Sequence, residues 1–436
     1  MIKHRKTAAF LSVIAMGFGQ IYNRQYLKGT LFFLLHLGGI GLATLLPRAL
    51  WGIVTLGEQA DRLEKVGKVY MNIRGDHSIF LLIEGMIVLL ALAVIVALYM
   101  ANIRDAYRVG LIREQGSKAP SFKDTLQRLG GESFPNMIIS LPVLLVLFFT
   151  VMPIIFMVLL AFTNYSAPNY LPPAKLVDWT GLQGFKDIFT IKAWNQTFFG
   201  VALWTLIWTV CATLTTFCAG FGVALMVQRK GIRFKGFWRT LFIIPYAIPQ
   251  FISLLIMRNM FNGEFGPINQ YLAYFGLGGL PWLTDPFWAK VTVIIVNIWI
   301  GFPLTMLMII GILSTISRDL YEAAEIDGAS SFQQFRAITF PTVMFSFGPL
   351  LVMSFAGNIN NFNLIYLLTN GNPANSSYQS AGSTDILITW LYKLTMDSGK
   401  YNYASIIGIF IFILVASLAV SNIRKTKAFK EEDSYK

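Results

Sequence analysis

Four acids, Asp319, Glu322, Glu325 and Asp327, stand within nine residues of one polar stretch, and four amides, Asn358, Asn360, Asn361 and Asn363, within six residues of another. The acids sit beside Leu320, Ala323, Ala324 and Ile326 in SRDLYEAAEIDG, a short helix whose mixed surface suits docking into a partner's groove. The alternative is an ordinary loop helix capped for its own stability. The amides close an apolar run, and their chemistry is hydrogen bonding, since an amide both donates to and accepts from a hydroxyl. On a regular helix Asn358 and Asn361 share a face by i, i+3 spacing, with Asn360 and Asn363 elsewhere. They either line a path for a neutral, hydroxyl-rich solute or join helices at about 0.6–2 kcal/mol per bond, and the residues alone weigh these evenly. Other chemistries find no residues. His4, His36 and His77 are scattered without metal-ligand spacing, and no GxxxxGK[ST] run exists to cradle phosphates. Cys211 and Cys218, seven apart in one apolar stretch, cannot bridge on a single helix. No cluster of His, Asp or Ser marks a membrane-embedded enzyme.

The composition says what must position these groups. Of 436 residues, 55% are hydrophobic and 13% charged, against about 45–50% and about 25% in soluble domains, so this is a polytopic membrane protein and not a cytosolic enzyme. A spanning helix needs about 20 mostly apolar residues. Eight stretches qualify, roughly 29–46, 79–100, 137–161, 197–226, 240–261, 289–313, 342–360 and 402–422. The fifth reads IIPYAIPQFIS, where Pro245 and Pro249 remove backbone donors and allow a kink. The sixth carries Gly301 and Pro303, and the seventh ends in the amides. The acidic stretch between them reads as helix, turn, helix, with Gly328 ending the first and Ser330 capping a second that runs to Pro341. Ala8–Gly19 is too short to span and lacks a clear cleavage site; with the following GFGQIYNRQYLKG it is expected to form a re-entrant or interfacial hairpin.

Lys and Arg collect on the cytoplasmic side of membranes. With the N-terminus inside, the cytoplasmic segments hold 23 of the 35 basic residues and 11 of the 22 acids, a net of +12, while the outside carries +2. Both termini are therefore expected in the cytoplasm, and the +13 excess sets orientation instead of binding nucleic acid. Ion-coupled transport needs charges within the bilayer, yet Thr197–Gln228, Thr342–Asn360 and Asn402–Asn422 contain none. Arg258 and Lys290 sit near outer helix ends, where they can snorkel. An ion-coupled secondary transporter is thus the weaker alternative. Glu84 is isolated, and a hydrogen bond to a neighbouring helix or the interface is expected of it instead of a proton relay.

Glu322-Ala323-Ala324, then Asp327-Gly328-Ala329, then Ile338-Thr339-Phe340-Pro341 resemble the EAA motif of permease subunits in binding-protein-dependent ABC importers. The likeness continues through RTLFIIPYAIPQFIS, NIWIGFP, FAGNINNFNLIYLLTNGNP and GSTDILI, and over roughly residues 135–425 the chain is similar to the larger maltose/maltodextrin permease subunit of Gram-positive type. The resemblance implies an all-α membrane protein of about eight transmembrane helices with the type I ABC importer permease fold, multi-pass in a bacterial cell membrane. It implies an N-terminal segment 1–28, two accessory helices in 29–135, a six-helix core in 136–426 with the EAA loop 315–341, and a cytoplasmic tail 427–436. Glu322, Ala323, Asp327 and Gly328 then contact an ATPase subunit. Gln250, Ile300, Gly301, Leu304, Gly357, Asn358, Asn361 and Asn363 fall at sugar-contacting positions, and the resemblance tips Asn358 and Asn361 toward function.

Four of those positions depart from the family. Gln250 stands for a small hydroxyl residue, Leu304 and Gly357 for aromatics, and Asn363 for an apolar residue; two lost stacking surfaces imply a longer oligosaccharide or a different linkage. Between the third and fourth spans, Asn164–Trp194 is a loop where the Gram-negative subunit has a folded domain, which suits a lipid-tethered binding protein. The resemblance further implies a second, related permease making a heterodimer, two ATP-binding subunits that carry ATP and Mg, an extracellular sugar-binding lipoprotein, and membrane lipid as partners, with no cofactor in this chain and no enzymatic activity of its own. The expected substrate is a maltose/maltodextrin-type oligosaccharide. Raffinose, galacto-oligosaccharide and multiple-sugar substrates are the alternatives, and glycerol phosphate is disfavoured because no cation marks the proposed cavity.

Overall fold

The computed structural model describes residues 3–66, 69–131, 134–229 and 231–425, so the expected 427–436 tail lies outside the described residues. The chain forms two compact units, Met1–Gly181 and Leu182–Lys436. Among the described residues, seven helices are long and apolar enough to cross a membrane, eight if one bent pair counts as a span. Each coincides with a stretch named above.

The first unit runs α1 (His4–Ile14), α2 (Phe18–Tyr22), α3 (Tyr26–Ala43), α4 (Leu46–Thr55), β1 (Arg62–Val66), β2 (Val69–Ile73), α5 (Ser78–Glu114), α6 (Phe122–Gly130), α7 (Phe134–Val146) and α8 (Met152–Leu160). Leu31, Leu34 and Leu37 of α3 are about half exposed, which is cheap against lipid tails as apolar as leucine itself. The strands form an antiparallel hairpin, Arg62 opposite Ile73, that hydropathy had not suggested. Glu84 on α5 lies 3.8 Å from Arg48 of α4, as expected of an acid reaching a neighbouring helix.

The opening segment is a helical hairpin, α1–α2, closed onto α5 by polar side chains. Gln20, fully buried, donates to the carbonyl of Asn102 at 3.1 Å and to Asp105 Oδ2 at 3.0 Å. Asn23, also buried, donates to the carbonyl of Ala106 at 2.9 Å, and Lys28 pairs with Asp105 at 2.7 Å. Gly19 admits the close approach, because a Cβ there would collide with the Ala8 carbonyl and lie 2.8 Å from Ala106 Cβ. The GFGQIYNRQYLKG segment thus has a structural role, satisfying buried polar groups where three helices meet.

The second unit runs α9 (Gln183–Thr190), α10 (Lys192–Gln228), α11 (Lys235–Ala247), α12 (Gln250–Met260), α13 (Pro267–Tyr274), α14 (Pro286–Thr315), α15 (Arg318–Ile326), α16 (Ser331–Gln334), a π turn Phe335–Thr339, α17 (Phe340–Ile359), α18 (Phe362–Leu368), α19 (Leu387–Met396) and α20 (Tyr401–Lys425). The α11/α12 pair bends by 89°. Ile248, ahead of Pro249, is extended, as the ring of a following proline demands, and Pro249 itself is the N-cap of α12. The expected kink is therefore a full break. Asp285 caps α14 by accepting from the N–H groups of Phe287 and Trp288.

Two apolar clusters occupy the long helices. One contains Trp204, Trp208 and Ala212 of α10, Val293 and Val296 of α14, and Leu364 and Leu368 of α18. The other contains Phe217 and Phe221 of α10, Met306 and Ile309 of α14, and Val343 and Phe347 of α17. Between Ala212 and Phe217 on one helix, and between Val296 and Met306 on the other, neither cluster has a fully buried member. That interval falls at mid-length of both helices and holds the polar layer.

Candidate functional site

The mid-span interval encloses a cavity of about 270 Å³. α10 contributes Thr213, Thr216 and Phe217, α14 contributes Asn297, Gly301, Leu304 and Thr305, and α17 contributes Phe347, Leu351, Ser354, Gly357 and Asn358, with Asn361 just beyond it. Every lining residue is uncharged. Asn358 Nδ2 donates to Thr213 Oγ1 at 2.9 Å, and Asn297 Nδ2 donates to Thr216 Oγ1 at 3.0 Å; both bonds have ordinary lengths and tie helices together. Asn361 Nδ2 lies 3.4 Å from Asn358 Oδ1 and 3.5 Å from Asn297 Oδ1, at the weak limit of hydrogen bonding. The amides therefore divide in role: Asn358 and Asn297 spend a donor on interhelical bonds, while the Asn361 donor is poorly engaged.

The seventh span does not continue through the amides as a regular helix. It stops at Ile359, and Asn361 has φ −76 and ψ 68 and accepts from the Leu364 N–H as the N-cap of α18. The i, i+3 face expected for Asn358 and Asn361 is thus replaced by a helix break that brings the two amides together across it. At the break the Asn358 carbonyl accepts from the Asn361 N–H at 3.3 Å and from the Trp208 indole N–H at 3.0 Å, in place of the regular helical bond lost at a helix end.

Of the eight positions expected at the site, Gly301, Leu304, Gly357, Asn358 and Asn361 line this cavity. Ile300 packs against the Trp204/Trp208 cluster. Gln250 begins α12 after the break and is exposed, and Asn363 is exposed on α18. A Cβ on Gly357 would meet nothing within 4 Å, whereas one on Gly301 would approach Thr216 Cγ2 to 2.8 Å. Gly357 leaves cavity space open, and Gly301 allows α10 and α14 to close. Thr213, Thr216 and Asn297 were missed. Their signal was the hydroxyl run CATLTTF and an asparagine one helical turn before Gly301.

The 315–341 segment lies at the end of α14 opposite Asp285. Ser317 caps α15 by accepting from the Asp319 N–H. The helix closes in a Schellman motif, with the Gly328 N–H donating to the Glu325 carbonyl at 3.1 Å and the Ala329 N–H to the Ala324 carbonyl at 2.9 Å. Gly328 has φ +75, a backbone state that glycine adopts without strain. Ser330 and Gln333 form a reciprocal capping box for α16. The second helix does not stop at Pro341; it passes through the π turn Phe335–Thr339, and Pro341 follows directly in the first turn of α17. Tyr321 Oη and Thr339 Oγ1, 2.9 Å apart, fasten α15 to this continuous helix. Glu322, Ala323, Asp327 and Gly328 are exposed. Ile326 is 87% exposed beside them, so the surface combines acids with an uncovered aliphatic side chain.

Away from both regions, Asp385 is a buried acid in the segment before α19. Its Oδ2 pairs with Lys393 Nζ at 2.7 Å and accepts from the Gly382 N–H at 2.7 Å. Burial raises its pKa above the usual carboxylate range, against the opposing pull of Lys393 and the Gly382 N–H.

The family described as binding-protein-dependent transport system inner membrane component matches residues 216–425. The galactooligosaccharides transport system permease protein GanP of Bacillus subtilis (strain 168) is 41% identical over 435 residues, covering 99% of this chain and 100% of the relative. The maltodextrin transport system permease protein MdxF of the same organism is 35% identical over 443 residues, covering 99% of this chain and 98% of the relative. Among solved structures, a chain of a bacterial alginate ABC transporter in complex with alginate pentasaccharide-bound periplasmic protein superposes with a TM-score of 0.56 at 20% identity, over 68% of this chain and 94% of that one, which establishes the ABC importer permease fold. Full-length likeness to transport permeases, with the helices described above, makes this a multi-pass protein of the plasma membrane that works in an ABC importer. The chain belongs to the family of inner-membrane permease components of binding-protein-dependent transport systems.

Proposed function

We propose that this chain is the permease subunit of an ATP-driven importer of neutral oligosaccharides, of maltodextrin type. The carrying observation is the uncharged mid-span cavity, whose amides and hydroxyls match a solute that both donates and accepts hydrogen bonds. GanP, at 41% identity over the whole chain, favours galacto-oligosaccharides as the second reading. Gln250, Ile300 and Asn363 join the site in a conformation where α12 and α18 have moved. The 136–426 core pairs with a second, related permease, which completes the cavity.

In this reading the termini and the 315–341 loop face the cytoplasm. Two ATPase subunits carry ATP and Mg and receive α15 through Glu322, Ala323, Asp327 and Gly328. The Tyr321–Thr339 bond and the Gly328 turn make α15 and α17 move together, so closure of the ATPases turns into movement of the helix that carries Asn358. An extracellular lipoprotein delivers the sugar to the other face. The test is uptake by the complete transporter in liposomes, with maltodextrins and galacto-oligosaccharides as competing substrates. ATP-dependent uptake of one class is expected; uptake indifferent to ATP and abolished by an ionophore overturns the reading.

A further inference from the structure

The second unit holds another cavity besides the mid-span one. About 780 Å³ opens among the end of α12, the turn before α14 and the segment after α18, well within the range of about 300–1,000 Å³ typical of small-molecule sites. It lies at the end of α14 remote from α15, and Pro286 precedes Asn297 by 11 residues, roughly 16 Å of helix. Leu254, Leu364 and Leu368 belong to the apolar cluster of α10, α14 and α18, and Leu368 also lines this cavity.

Its lining has the chemistry of a sugar site. Arg258, Asn259 and Asn372 line it, and their side chains make no hydrogen bond or ion pair with other described residues. Asn262 spends its Oδ1 on the N–H groups of Glu264 and Phe265, which holds the turn and leaves its Nδ2 as a donor. The lining includes no carboxylate, and Arg258 is its one cation. Amides supply donors and acceptors together, and a guanidinium presents a planar fork of donors. Phe265, 63% exposed on the rim, offers an aromatic face for the apolar side of a pyranose ring.

We infer that this outer cavity is a second oligosaccharide subsite, which holds part of the incoming chain ahead of the mid-span cavity and so selects for chain length. The inference rests on the proposed sugar-importer function. A short sugar fits the mid-span cavity alone, whereas a longer one engages Arg258, Asn259 and Phe265 as well. The two lost stacking surfaces at Leu304 and Gly357 are then compensated by contacts outside the mid-span cavity.

The test uses the complete transporter with its binding protein in liposomes and a ladder of maltodextrins and galacto-oligosaccharides of two to six units. For Arg258→Ala combined with Asn259→Ala, the KM for the longest members should rise about tenfold, the loss of one or two hydrogen bonds, while disaccharide uptake stays within about twofold of wild type. Phe265→Ala should act in the same direction and Phe265→Tyr should restore uptake, which separates a site defect from misfolding. ATPase stimulation by the disaccharide-loaded binding protein should be unchanged. An equal fall at every chain length with lost ATPase stimulation would mean a protein-docking surface and overturns the subsite. Wild-type KM at every length, or competition by glycerol phosphate that the variant abolishes, overturns it too. If wild type imports neither ladder, the importer reading itself falls, and the subsite with it.

Discussion

Asn361 has two jobs that one substitution can separate. Its Oδ1 caps α18 by accepting from the Leu364 N–H, and its Nδ2 faces the mid-span cavity with only long contacts, 3.4 and 3.5 Å. Serine is an equally good N-cap, so Asn361→Ser keeps the cap but removes the donor that reaches the cavity. Because the lost contacts are already weak, thermal stability in detergent should change by less than about 0.5 kcal/mol. A substrate hydrogen bond made by that donor is worth about 0.5–1.5 kcal/mol, a rise in KM of about 2- to 13-fold. Asn361→Ala should show the same KM and an added stability loss of about 0.5–2 kcal/mol from the missing cap. The assays are sugar uptake in liposomes and a thermal unfolding scan on the same preparations. Wild-type KM in Asn361→Ser, with stability lost only in Asn361→Ala, would refute the binding role and leave Asn361 a capping residue.

Three further outcomes follow from the geometry. Gly220→Ala places a Cβ 2.7 Å from Thr305 Cβ and 2.9 Å from the Met306 N, so the α10–α14 contact should lose about 1–3 kcal/mol, whereas Gly222→Ala, with nothing within 4 Å, should leave the melting temperature unchanged. Gly328→Ala meets no steric obstacle but must hold φ +75, a cost of about 1–2 kcal/mol; copurification should show weakened ATPase association in a permease that still inserts, and Gly348→Ala serves as the silent control. Lys393→Met strands the buried Asp385 and should cost about 3–5 kcal/mol. Since the folded state already favours the protonated Asp385 carboxyl, stability should recover as pH falls through its raised pKa and decline as pH rises through it; melting curves across pH check the sign.

Hydropathy made the spans legible because lipid imposes one rule along each whole helix, and the pre-proline constraint made the Pro249 break foreseeable though not its 89° angle. Caps at Gly328 and Ser330 were legible because they are local. The end of the seventh span near residue 360 was legible as well, but the break between Asn358 and Asn361 inside the amide run was not. Asparagine is tolerated in helices and at their ends alike, so NINNF carries no break signal that periodicity can detect. Thr213, Thr216 and Asn297 escaped for a different reason: a threonine in an apolar helix commonly bonds its own i−4 carbonyl, as Thr205 and Thr209 do, and only the facing helix distinguishes those that reach across. The β1–β2 hairpin was lost because its strands are only five residues each, the first of them mostly charged, beside far stronger helical signals.

The hairpin of α1 and α2 carries a consequence for how the chain is made. Gln20 finds its acceptor 82 residues later, at Asn102, and Asn23 finds its own 83 residues later, at Ala106. At about 5–20 residues per second, the ribosome needs about 4–16 s to deliver them. Ser12 and His4 can already engage the two amide oxygens, but through that interval the amide NH2 groups lack these carbonyl acceptors and must keep water, so the first unit locks only when α5 arrives. Its N-terminal residues, synthesised first, are among the last to find their places.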